Sequence, residues 1–187
     1  MATDTSKPDR KRELIQTQPQ PDGLEMKMVS DPATLGPVRR QVEKFAREAG
    51  FSDGVAEGVG LAVNEAMANV IRHQYRGATD KPMQVNLRRL TIAVTESGVA
   101  AIEIAIRDWG TPFDPSRLPW AKTVEHANDT GNGKPEGHSD SIDLDQLKPG
   151  GLGLLCMKKL MDEVTFEPQP DGMLLRLTKK LPGKQAR

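Results

Sequence analysis

A line of polar side chains along one predicted helix constrains this chain more than any other feature. Glu65, Asn69 and His73 recur every four residues, so at about 100° per residue each step drifts by only about 40° and the side chains form one stripe. Small and apolar residues flank the stripe, namely Val59, Ala62, Ala66 and Val70. Because unpaired polar groups at the margin of a buried face are costly, the carboxylate and the amide need partners. A bound metal ion or a reacting hydroxyl group would supply them.

Apolar and polar residues along the rest of the chain predict further helices and strands. Helical spacing runs from Ser30-Asp31-Pro32 to Gly50, over about 55–75, and over 154–161. Alternation of apolar and polar residues predicts the strands, which comprise residues 24–28, 85–94, 102–108, 164–166 and 175–177. Asp108 has the parity of the isoleucines before it, so its strand places a carboxylate at the end of a buried face.

Turn residues and one slip in the pattern refine the strands. Glu96-Ser97-Gly98 and the Pro-Asp-Gly sequence at 170–172 indicate hairpins. The apolar positions of 85–94 slip by one residue after Leu87. This slip predicts either a bulge near Arg88-Arg89 or a twist at a sheet edge.

The order of the elements predicts the fold class. A strand, two helices, two strands, a long loop, a helix and two strands follow one another, so helices and strands do not alternate one to one. We therefore predict an α+β fold: a two-layer α/β sandwich in which a mixed, mostly antiparallel sheet is covered on one face by about three helices.

The polar segments set the domain boundaries. Residues 1–22 are polar and rich in Pro and Gln, which predicts a disordered tail. Residues 23–182 are predicted to form one domain, followed by a short tail at 183–187. The stretch 114–149 is rich in Gly, Pro, Asp and Asn and has little periodicity, which is typical of a functional lid or a disordered insert.

Charge and cysteine content exclude several classes of function. Lys and Arg total 26, as do Asp and Glu, so no bulk field favours nucleic acid or an anionic membrane. Cys156 is the only cysteine, which excludes an intrachain disulfide framework and a Cys-rich zinc site. The first residues lack the apolar core of a signal peptide, and no run approaches the roughly 18 apolar residues of a membrane span. We predict a cytoplasmic protein without direct nucleic-acid or membrane binding.

Two glycine-bearing segments are further candidate sites, and each has a structural alternative. Gly150, Gly151 and Gly153 precede a helix whose N–H groups and dipole favour phosphate oxygens, but a hinge or a helix cap also explains them. Asp108-x-Gly110 at a strand end suits either a ligand or an ordinary turn. The stripe can be a solvated helix face, although the small residues beside it leave room for a ligand. Alone, each segment leaves the function open.

In their order along the chain, however, the three segments resemble the boxes of the ATP-binding domain of the GHKL superfamily, which is also called the Bergerat fold. Within that superfamily they resemble the boxes of the anti-sigma factor serine-protein kinases. Residues 65–75 resemble the N box, including the His and the Tyr after it. Residues 108–115 resemble the next box, in the variant with Phe-Asp in place of a second Gly. Residues 150–154 and 161–164 resemble the glycine box and the helix end after it. The resemblance covers roughly 24–181.

The resemblance implies a role for each segment. Asn69 binds Mg²⁺ through its amide oxygen, and Glu65 is the catalytic residue that orients or deprotonates the attacking hydroxyl group. Asp108 accepts a hydrogen bond from the adenine amino group, Gly110 lets the base approach, and the glycines of the third segment cradle phosphates. The implied nucleotide-binding residues are Asn69, His73, Asp108, Gly110, Gly150, Gly151, Gly153 and Leu154. For His73, a helix-end or packing role remains open.

The resemblance also implies a function and its partners. The protein would be an ATP- and Mg²⁺-dependent serine/threonine kinase and an anti-sigma factor, which phosphorylates a STAS-type anti-anti-sigma antagonist and otherwise holds a sigma factor. A homodimer is expected. The alternative is a non-catalytic, ATP-gated binding protein that inhibits its partner sterically. That alternative requires Asn69 and the glycines but not Glu65.

Overall fold

The computed structural model describes residues 14–90, 101–117 and 152–181. Within these ranges three α-helices are present, α1 (Leu35–Glu48), α2 (Asp53–Asn69) and α3 (Leu152–Leu160). The strands in the same ranges are β1 (Ile15–Gln20), β2 (Gly23–Val29), β3 (Pro82–Leu90), β4 (Ala101–Asp108), β5 (Glu163–Gln169) and β6 (Gly172–Lys180). A π-helical turn, Val70–Gln74, continues α2, so the predicted helix over 55–75 is confirmed with a wider last turn. None of the described helices is long and apolar enough to span a membrane.

The strands form a single sheet in the order β1-β2-β3-β4-β6-β5, and each neighbouring pair is antiparallel. Helix α1 packs on α2, and α2 packs on α3. The buried core lies between these helices and one face of the sheet, with Met26, Val85 and Ile104 on the sheet side and Val42 and Met67 on the helix side. The predicted two-layer α+β sandwich is confirmed, and the described sheet is antiparallel rather than mixed.

The other face of the sheet is polar. Gln84 donates a hydrogen bond to Glu25 on the neighbouring strand (2.9 Å), and Arg176 binds both Glu103 (3.0 Å) and Glu167 (2.8 Å) across two strand pairs. Pairs of this kind in contact with solvent add little stability. They do explain the alternation along the strands, because one face packs under the helices and the other faces water.

The predicted disordered tail over 1–22 is wrong for residues 15–20. These residues form β1, which pairs with β2 from Ile15↔Met28 to Gln20↔Gly23. Because β1 is an edge strand with mostly exposed side chains, backbone pairing rather than apolar alternation defines it, and its composition resembles that of a tail. The signal that reveals it is Pro21-Asp22-Gly23, the same tripeptide that forms the turn of the predicted hairpin at 170–172.

The predicted bulge or edge twist in the strand after α2 is also wrong within the described residues. The pairing of β3 with β4 is unbroken from Met83↔Asp108 to Leu90↔Ala101, and β3 lies inside the sheet. Where the apolar pattern breaks, an arginine occupies an inward-facing position. The guanidinium of Arg89 lies 4.7 Å from the centroid of the Phe45 ring, where its cation–π contact replaces an apolar side chain. The predicted hairpin at 96–98 and most of the lid lie outside the described residues.

Candidate functional site

The polar stripe of α2 borders a cavity between the helices and the sheet. Glu65 and Asn69 are half-buried, whereas His73 is exposed. At 1.5 Å per residue, the stripe is roughly 12 Å long. The cavity has a volume of about 400 Å³, and Asn69 and His73 line it while Glu65 lies outside its lining. The stripe therefore follows one wall of the cavity and continues beyond it at the Glu65 end.

The start of α3 meets the stripe at that end. A Cβ atom built on the buried Gly153 would lie 2.9 Å from Oε2 of Glu65 and 3.2 Å from Nδ2 of Asn69. The backbone at the start of α3 thus lies so close to the side chains of Glu65 and Asn69 that, unless they move, only glycine fits there. The N–H groups at this helix N-terminus favour anions. Leu154 lines the cavity from the same turn, whereas Gly150 and Gly151 lie outside the described residues.

The end of β4 supplies a carboxylate at another part of the cavity. Asp108 is 3% exposed, and its Oδ1 accepts a hydrogen bond from the N–H of Gly110 (2.8 Å). Burial raises the pKa of Asp108, and this effect outweighs the hydrogen bonds from the N–H groups of Gly110 and Met173 and the charge of Arg107. A carboxylate buried in this way is suited to a ligand that donates a hydrogen bond.

Gly110 lies against Gln74, in the π-helical turn at the end of α2. A Cβ atom at this position would lie 2.9 Å from Cβ of Gln74 and 3.0 Å from its Oε1. A side chain at residue 110 would therefore force the end of α2 away from the end of β4, so the close approach of these two elements requires glycine.

The rest of the cavity wall is mostly apolar and was not predicted from the sequence. Phe113, which follows β4, packs against Phe166 of β5 with ring centroids 5.6 Å apart. Ala66 and Val70, which flank the stripe, also line the cavity, and the wall residues that sequence reasoning missed are Gln74, Thr111, Pro112, Phe113, Met157, Phe166, Met173 and Leu175. A mostly apolar cavity with a few polar groups at defined places is the usual form of a small-molecule site.

The single cysteine lies close to Glu65 but is not primed for chemistry. Cys156 is half-buried on α3. Burial, and secondarily the negative charge of Glu65, raise the pKa of its thiol. The thiol is therefore neutral near pH 7.

Asp108→Asn should stabilise the fold at neutral pH by on the order of 1 kcal/mol. Since the folded chain raises the pKa of Asp108, the stability contributed by this carboxyl is complete below its unfolded pKa and is lost as pH rises through the folded pKa. The advantage of the neutral amide should accordingly shrink as pH falls toward about 4. Urea unfolding at the two pH values measures this, with the exposed Asp80→Asn as control. A variant less stable than wild type at neutral pH would contradict it.

Comparison with known proteins identifies the domain. A family model described as a histidine kinase-like ATPase domain matches residues 28–179. The chain belongs to this family. As a histidine kinase-like ATPase domain it uses ATP, which confirms the nucleotide that the three sequence segments imply. Its cavity is lined by residues of the predicted N box, of the segment at the end of β4 and of the start of α3.

The similar curated proteins are serine-protein kinases. The serine-protein kinase RsbW of Bacillus licheniformis is 32% identical over 160 residues, which is 86% of either chain. RsbW of Bacillus subtilis strain 168 is 31% identical over 164 residues, 88% of this chain and 89% of that protein, and RsbW of Staphylococcus epidermidis is 26% identical over 166 residues, 89% and 91%. These relatives do not favour the non-catalytic alternative.

One solved structure, the histidine kinase domain of a blue-light activated histidine kinase from Erythrobacter litoralis, matches with a TM-score of 0.40 and 14% identity. The match covers 81% of this chain and 61% of that one. A likeness this weak carries no argument about function.

Proposed function

We propose that this protein is an ATP-dependent serine/threonine protein kinase and anti-sigma factor that phosphorylates an anti-anti-sigma antagonist protein. The observation that carries the proposal is the meeting of Glu65 and Asn69 with Gly153 at the start of α3. A carboxylate, an amide and helix N–H groups at one end of an apolar cavity are the parts that phosphoryl transfer needs. The similarity to serine-protein kinases supports the same class of reaction.

In this proposal the base of the nucleotide binds at the β4 end of the cavity. Asp108 accepts a hydrogen bond from the adenine amino group, and Gly110 leaves room for the ring. The apolar wall, with the Phe113–Phe166 pair, covers the faces of the base. Burying an ionised Asp108 costs stability in the free protein, and the bound amino group offsets this cost.

The triphosphate lies along the stripe toward Glu65. N–H groups at the start of α3 bind its oxygens, with Gly150 and Gly151 as further candidates and His73 and Leu154 beside the sugar and phosphates. No group of three His, Cys, Asp or Glu side chains within the described ranges could hold a metal ion. The amide oxygen of Asn69 is the proposed protein ligand of Mg²⁺, which would take its other oxygens from phosphate and water. When bound, Mg²⁺ neutralises charge on the phosphates.

Glu65 carries the chemical step. Its carboxylate accepts the proton of a serine or threonine hydroxyl group of the antagonist while the hydroxyl oxygen forms a bond to the γ-phosphorus. The bond from the γ-phosphorus to the β–γ bridging oxygen breaks, and ADP leaves. The half-buried position of Glu65, outside the cavity lining, suits a group that contacts the incoming hydroxyl rather than the base.

Partner exchange follows from this reaction. Phosphorylation releases a STAS-type antagonist, which frees the kinase to hold a sigma factor and so to regulate transcription. The same proposal includes a homodimer and a cytoplasmic location.

The test is phosphoryl transfer to the antagonist. The full chain is incubated with γ-labelled ATP, Mg²⁺ and the STAS-type protein that co-purifies with it. We expect label on a serine or threonine of that protein with the wild type and none with Glu65→Ala. Absence of label with the wild type, or equal labelling by both, would refute the proposed function.

A further inference from the structure

Tyr75 links three elements around the candidate site through its hydroxyl group. The hydroxyl accepts a hydrogen bond from the backbone N–H of Trp109 (2.7 Å) and donates one to the carbonyl of Pro82 (2.6 Å). Its side chain is 8% exposed. Trp109 is the residue between Asp108 and Gly110, so this phenol contacts the backbone of the segment that closes the cavity.

The π-helical turn at the end of α2 precedes this link. The N–H of Tyr75 bonds to the carbonyl of Val70 (3.0 Å), five residues back, instead of four as in an α-helix. The wider turn changes the direction of the side chains that follow. Gln74 lies against Gly110 at the cavity, and Tyr75 reaches the start of β3 and the end of β4. Such turns often occur at functional sites.

Asp108 and Trp109 contact β6 on their other side. Asp108 pairs with Met173, and Gly172, with φ of 146°, leaves no space for a Cβ atom beside the carbonyl of Asp108. On the side of α2, the hydrogen bond that the structure describes to residues 108–110 runs from the N–H of Trp109 to the hydroxyl of Tyr75. Loss of that bond should leave the strand in its sheet but free the backbone between Asp108 and Gly110 to shift.

We propose that Tyr75 is a positioning residue for base recognition, which fixes the backbone of Trp109 and so places the carboxylate of Asp108 where it meets the adenine amino group. This inference rests on the proposed function, because it assigns the base to Asp108. The hydrogen bond also joins the end of the helix that carries Asn69 to the end of the strand that carries Asp108. Burial raises the pKa of the Tyr75 hydroxyl, which keeps its proton available for Pro82.

The test compares ATP with purine riboside triphosphate, which lacks the amino group, on the full chain. Wild type should bind ATP more tightly than the analogue. Tyr75→Phe should weaken ATP binding by about tenfold, the equivalent of one misplaced hydrogen bond, and leave the affinity for the analogue unchanged. A merely structural role would weaken both equally. Titration calorimetry gives both dissociation constants.

Ser30→Ala is a matched control. Ser30 is fully buried, and its hydroxyl also donates one hydrogen bond, to the carbonyl of Ala78 (2.5 Å), and accepts one, from the N–H of Lys81 (3.1 Å). It anchors the same connection between α2 and β3 but does not contact Trp109. We expect it to lower stability as Tyr75→Phe does and to leave the ratio of the two affinities at the wild-type value.

Tyr75 is the only tyrosine of the chain. A second measurement can therefore follow this residue in the protein without a substitution at position 75. After biosynthetic incorporation of 3-fluorotyrosine, a single ¹⁹F resonance should shift on addition of ATP and shift less with the analogue. An unchanged ratio in Tyr75→Phe, or equal shifts with both nucleotides, overturns the inference while the proposed function stands. If the wild type binds neither nucleotide, the proposed function and this inference fall together.

Discussion

Glu65→Gln should lower the kcat of phosphoryl transfer by about 10²- to 10⁴-fold while the affinity for ATP changes by less than about twofold. The amide has the shape of the carboxylate but cannot accept the hydroxyl proton. Because Glu65 lies outside the cavity lining whereas Asn69 and Asp108 lie within it, the contacts that hold the nucleotide remain. The expected signature is therefore a loss in kcat with little change in the dissociation constant.

Single-turnover transfer to the antagonist, with ATP binding measured separately, checks this prediction. The matched control is Glu57→Gln, two turns earlier on α2, where an exposed carboxylate lies 4.0 Å from Arg47. That variant should retain full activity. If Glu65→Gln transfers phosphate at the wild-type rate, Glu65 has no catalytic role. If its affinity for ATP falls in parallel with the rate, Glu65 holds the nucleotide instead.

Parts of this site could be predicted because local geometry decides them. A four-residue spacing places Glu65 and Asn69 on one side of any α-helix, whatever the helix packs against. Likewise, the two-residue period of a strand gives Asp108 the parity of Ile106 and so a place at the end of the buried face, where the structure has it. In both cases the relevant neighbours are within a few residues along the chain.

Other parts depend on contacts between distant segments, and no local pattern encodes them. Phe113 and Phe166 form one wall of the cavity although they are far apart in sequence. Arg89 occupies an inward-facing position because the Phe45 ring lies under it, which a pattern of apolar residues cannot anticipate. The link from Tyr75 to Trp109 likewise requires the end of α2 to meet the end of β4. Tyr75 could be placed in a motif from sequence, but its role could not.

The edge strand β1 shows a different limit. Because its side chains are mostly exposed, β1 does not show the alternation of apolar and polar residues that a half-buried strand has. Only the turn at Pro21-Asp22-Gly23 indicates it in the sequence. Where the same tripeptide is followed by the apolar alternation of β6, the hairpin was predicted. A turn signal therefore carries more weight at an edge than the absence of alternation does.

Gly153→Ala should lower phosphoryl transfer by about 10²-fold or more, and weaken ATP binding as well, while the fold is retained. The new methyl group would lie 2.9 Å from Oε2 of Glu65 and 3.2 Å from Nδ2 of Asn69, so both side chains must move. Since they are the ends of side chains rather than backbone, they can move without unfolding the domain. A shift of about 1 Å in the groups that position reactants is enough for a loss of this size.

The same substitution at Gly54 isolates this effect. Gly54 lies in the first turn of α2, and a Cβ atom there meets no atom within 4 Å. Gly54→Ala should keep wild-type transfer and gain up to about 1 kcal/mol of stability from helix propensity, a gain that Gly153→Ala in the first turn of α3 shares in part. Thermal unfolding measured beside the kinetics separates the two effects. If Gly153→Ala binds ATP and transfers phosphate as the wild type does, Glu65 and Asn69 do not act at the position where α3 meets them.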